Sequence, residues 1–459
     1  MAFLTNVFRS RGGQHLRTNV IQPAGAFITT EAGGGVILLA AALLALVWAN
    51  SPWDGSYFDL IHAHLSADFG PVSIDDSFGH LVNDGLMTVF FFVVGLEIKR
   101  ELLTGELSSP RKAALPVAAA LGGMIVPALL FAAWNAGGEG AHGWGIPMAT
   151  DIAFALGVLA LLGRRAPFSL KVFLLALAIV DDLGAILVIA TFYTSSISFE
   201  ALAWAAVLLV VIVAVARAGV RSTNVYVLLG AVFWLAFYKS GIHATLAGVI
   251  LAMLTPWQPR YEKDVLKAGT LDLIGRYRQA SDRGDTGEAR RVIAEFESLS
   301  RGAESPLDRL ERTLHPWVSY GIVPLFALVN AGVALSGGLF SDAAASEISQ
   351  GIAIGLVIGK PVGIVLACFI TVRLGLADLP SNVNFGHLAG LGLVAGIGFT
   401  VSLFVTNLAF ESAALVDQAR LGVLAASAFA GVVGFAYLWF APGEPAAAEA
   451  AEPLLAAAK

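Results

Sequence analysis

Charged residues are scarce in this sequence, and that scarcity decides the class of protein. Only 14% of the 459 residues are Asp, Glu, Lys or Arg, whereas 57% are hydrophobic, and the mean hydropathy is +0.76. A soluble protein carries about a quarter charged residues. Because this chain cannot cover a folded surface with polar groups, we predict an all-α polytopic membrane protein.

Cysteine is almost absent, since the chain has only Cys368, within an apolar segment. One cysteine excludes an internal disulfide and a metal site built from several thiolates. No His/Cys cluster suits a soft metal, and we predict no cofactor. The 28 Lys and Arg against 34 Asp and Glu give a net charge of −6, which argues against a nucleic-acid partner.

Long apolar runs, in contrast, are abundant. A helix needs ~20 mostly apolar residues to cross the hydrocarbon core of a bilayer. Twelve segments are predicted to do so: Gly33–Asn50, Phe78–Glu97, Ala113–Asn135, Gly145–Leu162, Leu170–Thr194, Phe199–Ala216, Val225–Tyr238, Gly241–Pro256, Pro316–Leu335, Gly351–Val372, Gly386–Ala409 and Leu421–Phe440. The boundary between the seventh and eighth spans is the least distinct, because only Lys239 and Ser240 separate them.

Basic residues predict the orientation of these spans. With the N-terminus inside, Lys and Arg concentrate in the inner segments and are missing from the outer loops at 51–77, 136–144, 195–198 and 336–350. This is the positive-inside distribution, and it predicts that both termini are cytosolic.

Five regions follow: a cytosolic tail at 1–32, spans 1 to 8 at 33–256, a cytosolic insert at 257–315, spans 9 to 12 at 316–440 and a disordered tail at 441–459. In the insert, a turn at Gly284 is predicted to lead into an amphipathic helix. A solvated charged helix is the favoured interpretation, with a regulatory or lipid-binding role as the alternative.

The most informative stretch holds two adjacent carboxylates, Asp181 and Asp182, in a run that is otherwise apolar from Val172 to Thr194. Each ionised Asp at the centre of a membrane helix costs ~2.5–3.5 kcal/mol. Neighbours on a helix point about 100° apart, so the two cannot share one narrow contact. A pair that only satisfies helix ends is the alternative, but we predict a cation and proton site.

Two spans carry signs of a broken helix. The fourth contains Pro147 followed by Thr150 and Asp151, and the eleventh has four glycines between 390 and 398. Irregular backbone at membrane depth survives only where it is buried in protein or lines water. Interrupted spans in corresponding positions indicate a transporter site. By layout, spans 3–5 and 10–12 would form inverted-topology repeats whose discontinuous spans 4 and 11 cross.

Breaks in two crossing helices would leave positive and negative helix ends facing each other. Asp151 and Lys360 are the candidates to neutralise them, with snorkelling of Lys360 to an interface as the alternative. Carboxylates, Thr hydroxyls and freed carbonyls suit a hard cation. The deprotonated Asp pair can hold Na⁺ or Li⁺ and the protonated pair cannot, so a site that switches sides only when occupied would exchange cations for protons.

Other polar positions carry weaker signals. Asp84, inside the second span, belongs either to an access path or to an interface. Glu97, Arg100 and Glu101 lie at the cytosolic end of that span, where ordinary boundary charge is the favoured interpretation. His243 near a helix start is more often structural than a pH sensor.

Six stretches together resemble the bacterial NhaA-type Na⁺/H⁺ antiporters, over about residues 30 to 435 without most of the insert. They are MATDIAFALGVLALLG at 148–163, LALAIVDDLGAI at 175–186, KSGIHATLAGV at 239–249, LHPWVSYGIVPLFALVNAGV at 314–333, VIGKPVGI at 357–364 and GIGFTVSLF at 396–404. The resemblance implies an electrogenic exchanger in the bacterial inner membrane that expels Na⁺ or Li⁺ using inward proton flow, for pH homeostasis and salt tolerance.

The resemblance also implies roles for individual residues. Asp181 and Asp182 match the cation- and proton-binding pair, and Lys360 matches the lysine that competes with or pairs to them. Thr150 and Asp151 match the helix crossing.

Glu97 and Glu311, with neighbouring charges, match a cytosolic cluster tied to pH activation. Homodimers are usual in the family, with a contact here around Phe69–Ile74, and membrane lipid is the other expected partner. Two departures from the family, the long insert and Arg312 where a second His can occur, both fall in this cytosolic region.

Alternatives from other classes are weaker. An intramembrane aspartyl protease also needs two membrane Asp residues, but a buried Lys would disturb a dyad that shares one proton, so we predict no enzyme. A proton- or sodium-coupled symporter for an organic anion on a related fold stays open, because broken helices serve many substrates. A passive channel is disfavoured, since an Asp pair with a Lys suits proton competition better than rapid permeation.

Overall fold

A computed structural model describes residues 22–69, 72–194, 198–218, 220, 223–259, 263–335 and 339–441. Within these ranges the chain is almost entirely helical. The helices are α1 Gln22–Ala49, α2 Asp54–His62, α3 Phe78–Thr104, α4 Pro110–Trp134, α5 Ile152–Leu161, α6 Phe168–Phe192, α7 Phe199–Arg217, α8 Thr223–Ser240, α9 Thr245–Leu254, α10 Lys263–Asp282, α11 Thr286–Ala303, α12 Pro306–Trp317, α13 Val323–Asn330, α14 Leu339–Ala345, α15 Glu347–Arg373, α16 Phe385–Ala395, α17 Phe399–Ala409 and α18 Ala413–Phe440.

Short irregular helices join or interrupt these elements. Among them, a 3₁₀ segment Glu139–Met148 leads into α5, and π-helical turns lie at Val82–Leu86 within α3, at Val318–Ile322 between α12 and α13, and at Gly355–Gly359 within α15. Two strands, β1 His64–Phe69 and β2 Val72–Ser77, form an antiparallel β-hairpin in which Phe69 pairs with Val72.

The apolar helices confirm a polytopic, all-α membrane protein. In the described ranges, six helices are long and apolar enough to cross a membrane: α3, α4, α6, α7, α15 and α18. Three bent pairs raise the number to nine if each is one span: α1 with α2, the 3₁₀ segment with α5, and α16 with α17. The predicted spans 7 and 8 are the shorter apolar helices α8 and α9, and span 9 is divided by a π-helical turn. Twelve spans therefore remain a prediction.

Some helix boundaries in the structure differ from the predicted ones. The first helix begins at Gln22, earlier than the predicted Gly33, and Arg9, Arg11 and Arg17 lie outside the described residues. α8 ends at Ser240, and the next residue, Gly241, has a φ of 79°, a left-handed conformation that favours glycine, so spans 7 and 8 separate there.

The insert contains more helix than the pattern indicated. The amphipathic helix predicted after Gly284 is α11, and the Asp285 side chain accepts hydrogen bonds from the backbone N–H groups of Gly287 and Glu288. The preceding helix α10 was not predicted, and it packs on α11. We call this pair the insert hairpin. The face of the molecule that carries it is the insert side, and the face that carries the β-hairpin is the strand side.

Close helix contacts depend on glycine. α4 packs along α15, where a Cβ atom on Gly363 would lie 2.1 Å from the carbonyl oxygen of Gly122. The reciprocal Cβ on Gly122 would lie 2.2 Å from the carbonyl oxygen of Gly363. This contact lies three residues beyond Lys360 on the same helix, so α4 and α15 are packed closely beside that side chain.

Replacing Gly363 with Ala should separate α4 from α15, because the added methyl group meets backbone that cannot rotate away. Overpacking of this kind costs about 1–3 kcal/mol, so the melting temperature of the purified protein should fall. Gly157→Ala in α5 is the matched control, since a Cβ there meets nothing within 4 Å. Equal melting temperatures for the two variants would contradict the assigned helix contact.

Candidate functional site: a buried ion pair at two helix breaks

The breaks in the two interrupted helices lie against each other. The 3₁₀ segment and α5 are bent by 47°, and α16 and α17 by 49°. The Asp151 backbone N–H donates to the carbonyl oxygen of Ile397 at 2.7 Å, and the Thr150 hydroxyl donates to the carbonyl of Ala395 at 3.0 Å. The Ser402 hydroxyl donates to the Ile146 carbonyl at 2.7 Å. Each break thus satisfies backbone groups that the other leaves open.

Asp151 caps two helix N-termini at once. One carboxylate oxygen accepts from the Phe154 N–H at 3.1 Å, at the start of α5. The other accepts from the N–H and the hydroxyl of Thr400, at 3.1 and 2.6 Å, at the start of α17. Both helix ends carry partial positive charge, and a buried carboxylate between them compensates it.

Lys360 meets the opposite kind of helix end. Its side chain is fully buried, and Nζ donates to the carbonyl oxygen of Met148, the last residue of the 3₁₀ segment. Nζ also lies 2.7 Å from Asp181 Oδ2, and the side chain of Asp181 is fully buried as well. The snorkelling alternative for Lys360 is therefore wrong in this structure. A charged pair at this depth needs such a contact, since an unpaired buried charge costs several kcal/mol.

Asp182 points elsewhere than its neighbour. Its side chain lines a cavity of about 50 Å³ together with Asp151 and Thr400. Within the described part of the chain, one oxygen each of Asp181 and Asp182 is buried and has no hydrogen-bond partner. Native proteins rarely leave such atoms unsatisfied, which makes these two oxygens candidate ligand atoms.

The cavity continues from Asp182 to a charged cluster on the insert side. Glu97 and His315 line its other end, and His315 Nε2 lies 3.8 Å from Glu97 Oε1. Nearby, Arg100 forms an ion pair with Glu311 of α12 and lies 4.0 Å from Glu101. Burial raises the pKa of the Glu311 carboxyl above its usual range, although the charges of Arg100 and His315 oppose this.

The strand side of the cavity is closed by two layers. Phe91, Phe326 and Phe404 are buried, with ring centroids 5.5 Å apart for Phe91 and Phe404 and 6.4 Å apart for Phe326 and Phe404. These rings lie on α3, α13 and α17. On each of these helices, the ring lies about one or two turns from a polar residue of a second layer.

That polar layer centres on Asn330, which is fully buried. Its side-chain oxygen accepts from the amide groups of Asn83 at 3.3 Å and of Asn407 at 2.7 Å, and its amide donates to Asn83 Oδ1 at 2.7 Å. Arg420 Nη2 donates to Asn407 Oδ1 at 2.9 Å. These residues join α3, α13, α17 and α18 and line a second cavity of about 400 Å³ on the strand side.

Two predicted positions lie apart from these groups. Asp84 is in the π-helical turn of α3, with one carboxylate oxygen 3.3 Å from His80 Nε2, and it does not line the cavity of Asp182. His243 Nε2 lies 2.6 Å from the carbonyl oxygen of Tyr193, and His243 does not line the cavity that Glu97 lines.

Three important residues were not singled out from the sequence. Thr400 directly follows the glycine-broken stretch, which is a usable signal for a helix start. His315 lies four residues after Glu311 and thus on the same face of α12. Asn330 ends α13 in a stretch that carries no other local sign, so only the packing of four helices identifies it.

Comparison with known proteins agrees with this architecture. The family model described as Na⁺/H⁺ antiporter 1 matches residues 25–438. The chain is 47% identical over 421 residues to the Na(+)/H(+) antiporter NhaA of Oleidesulfovibrio alaskensis, covering 91% of this chain and 93% of the relative. It is 46% identical to Na(+)/H(+) antiporter NhaA 2 of Syntrophotalea carbinolica, covering 91% and 96%, and 46% identical to the Na(+)/H(+) antiporter NhaA of Rhodopirellula baltica, covering 92% and 95%.

The pairing of Lys360 with Asp181 predicts a non-additive mutation cycle. Lys360→Met should destabilise the protein by about 3–5 kcal/mol, because it leaves a buried carboxylate without its counter-charge. The double variant Asp181→Asn/Lys360→Met removes both charges and should recover most of the loss. Melting temperatures of the four purified proteins test this, and a double variant as unstable as the sum of the single ones would contradict the pairing.

Glu311 should make stability depend on pH. Its folded pKa lies above the value in the unfolded chain, about 4.3, so its contribution to stability is full below that value and is lost as pH rises through the folded pKa. Wild-type protein should therefore lose melting temperature relative to Glu311→Gln as pH is raised from about 4. Glu297→Gln in the exposed part of α11 is the surface control. A difference that stays flat or grows in favour of wild type would refute the assignment.

Proposed function

Because this chain belongs to the Na⁺/H⁺ antiporter 1 family, we propose that it exchanges Na⁺ or Li⁺ for protons across the bacterial inner membrane. The exchange is electrogenic and pH-regulated, and it proceeds by alternating access. Cation and protons compete for Asp181 and Asp182, and the protein is a transporter and not an enzyme.

One observation carries this proposal: a fully buried Lys360–Asp181 ion pair next to Asp182, which lines a small cavity where two broken helices meet. Charge at this depth is retained for function because it costs stability. The two carboxylate oxygens without partners are hard ligands of the kind that Na⁺ prefers. The Thr400 hydroxyl and the carbonyls at the breaks supply further oxygens.

The charges in the site give the direction of coupling. With Asp182 protonated and Lys360 paired to Asp181, the three side chains sum to zero. A cation held by both carboxylates displaces the Asp182 proton and takes Asp181 as its own counter-charge. Lys360 then has no counter-charge and releases its proton, because an unpaired buried ammonium is costly. The cation-loaded site therefore carries one net negative charge, against zero for the proton-loaded site. Two protons leave for each cation that enters, so the exchange moves net charge.

Access alternates between the two faces, with the insert side in the cytosol as the basic residues predict. The cavity from Asp182 to Glu97 supports a state open toward the cytosol. The aromatic layer of Phe91, Phe326 and Phe404 and the Asn330 layer close the opposite side. In the outward state these layers separate, and the site faces the cavity on the strand side.

The insert-side cluster is the proposed origin of pH regulation. Glu97, Arg100, Glu311 and His315 connect α3 to α12, and the cavity of Asp182 ends among them. A change in their protonation alters the contact between these two helices and so the opening of the cavity. Glu101 is a secondary member, whereas Asp84 and His243 lie outside this cluster.

The remaining parts of the proposal concern architecture. We infer twelve spans with both termini cytosolic and inverted repeats in which spans 4 and 11 cross. A homodimer forms through the region around Phe69–Ile74, at the tip of the β-hairpin, where Gly70 and Pro71 lie outside the described residues. Lipid surrounds the apolar outer helix surfaces.

The competing functions receive less support. A cavity of about 50 Å³ holds a few water molecules or a small ion, and it is too small for the organic anion of a symporter. An aspartyl protease needs two carboxylates that share a proton. Here Asp151 caps two helices and Asp181 is bound to Lys360, so neither is available.

Asp182→Asn should abolish exchange. In everted membrane vesicles with an acid interior, adding NaCl or LiCl should collapse the pH gradient of wild type and leave that of the variant intact. The substitution keeps the size of the side chain, and the melting temperature of the purified variant shows whether the fold persists. Asp59→Asn on the exposed part of α2 is the matched control and should exchange normally. A wild-type gradient that ignores both cations from mildly acid to alkaline pH would overturn the proposal.

A further inference from the structure

The insert hairpin has one polar and one apolar flank. α10 and α11 run antiparallel and face each other through Leu273 and Val292, and a Cβ atom on Gly269 would lie 2.9 Å from the Leu299 side chain. One step along a helix turns the side chain by about 100°. Because the helices are antiparallel, residues that follow Leu273 and Val292 turn to the same flank of the pair.

The polar flank is held together by ion pairs. Arg276 Nη1 lies 2.6 Å from Glu295 and Nη2 lies 3.0 Å from Glu288, and Arg291 lies 3.3 Å from Glu288. These contacts cross from one helix to the other or link successive turns. The charged side chains of this flank therefore pair with one another, and the flank needs no further partner.

The opposite flank exposes large apolar side chains. Ile274 and Ile293 directly follow the facing positions and are 43% and 47% exposed. Leu271, Tyr277 and Phe296 lie three residues away from them on the same flank, and Leu271 is 64% exposed. Five such side chains in one patch exceed the scattered apolar residues of an ordinary surface, so the patch indicates a docking face.

Charge on the apolar flank indicates what docks there. Helical spacing places Lys267, Arg278 and Arg290 on this flank, all exposed, against the single acidic Glu297. The polar flank carries three acidic residues and two arginines, namely Asp272, Glu288, Glu295, Arg276 and Arg291, so positive charge is concentrated beside the apolar patch. Apolar side chains bordered by Lys and Arg are the pattern of a segment that lies on an anionic lipid surface.

The position of the hairpin brings a bilayer within reach. Both of its ends join the membrane region at one point, where the Leu307 N–H at the start of α12 donates to the carbonyl oxygen of Pro256 at 3.2 Å. Trp257 at this junction is 42% exposed, and tryptophan is enriched where proteins cross the membrane–water interface.

From these observations we propose that the insert hairpin lies on the surface of its own bilayer. Leu271, Ile274, Tyr277, Ile293 and Phe296 enter the interface, and Lys267, Arg278 and Arg290 contact anionic lipid headgroups. This inference does not depend on ion exchange, because the surface and its lipid partner are defined by the hairpin alone.

Two serines of α11 provide a matched test. Ser300 lies on the apolar flank and Ser298 on the polar flank, and both are exposed. The full-length protein is placed, one copy per nanodisc, in phosphatidylcholine with or without phosphatidylglycerol, and a charged water-soluble maleimide is added. The native Cys368 is buried and serves as the background. With phosphatidylglycerol, Ser300→Cys should react about tenfold more slowly than Ser298→Cys.

Further variants and conditions decide between occupants. Reversing Lys267, Arg278 and Arg290 to Glu, or replacing Ile293 and Phe296 with Asp, should make the two cysteines react equally. Equal rates for the two cysteines in the otherwise native protein with phosphatidylglycerol would overturn the proposal. Protection of Ser300→Cys in lipid-free detergent that grows with protein concentration would also overturn it and would assign the patch to a second copy of the chain. Exchange activity, measured separately, does not enter either result.

Discussion

The structure depends on the contact between Lys360 and Asp181, two opposite charges that are buried together away from bulk solvent. Neither charge could remain at this depth alone, because the cost of removing an ion from water is repaid only by a close partner and further hydrogen bonds. Lys360 obtains these from Asp181 and from the Met148 carbonyl at the end of a broken helix. One side chain thus compensates both a carboxylate and a helix terminus.

Asp151 compensates the partial positive charge at the N-termini of α5 and α17. Together Asp151 and Lys360 allow two helices to be interrupted at the same place, which a membrane otherwise forbids. Asp182 is left outside this balance, with its carboxylate on the cavity and one oxygen without a partner. The two neighbouring Asp residues thus have different surroundings, because Asp181 is paired with Lys360 whereas Asp182 lines the cavity.

The outer parts of the molecule connect this centre to its surroundings. On the insert side, the Arg100–Glu311 ion pair connects α3 to α12 near the end of the cavity. On the strand side, Asn330 joins four helices across the line between the site and the second cavity. The insert hairpin is joined directly to α12. The proposed lipid contact of the hairpin and the ion pair of Glu311 therefore both act on the position of α12. These three regions are linked through α12 and α13, which flank a π-helical turn.

The sequence by itself determined the class of protein and the identity of its buried charges, because both follow from composition and from polar residues in apolar runs. Asp181, Asp182, Asp151 and Lys360 could be selected in this way, since each is expensive where it lies. Even the break at Pro147 and the glycines near 396 were visible as local signals. Only the tertiary structure decided the distances between these charges, that Asp151 caps both α5 and α17, and that Asp84 and His243 stand apart. Distances between helices depend on packing across long sequence separations, and neither helical period nor residue type records which oxygen of a carboxylate finds a partner.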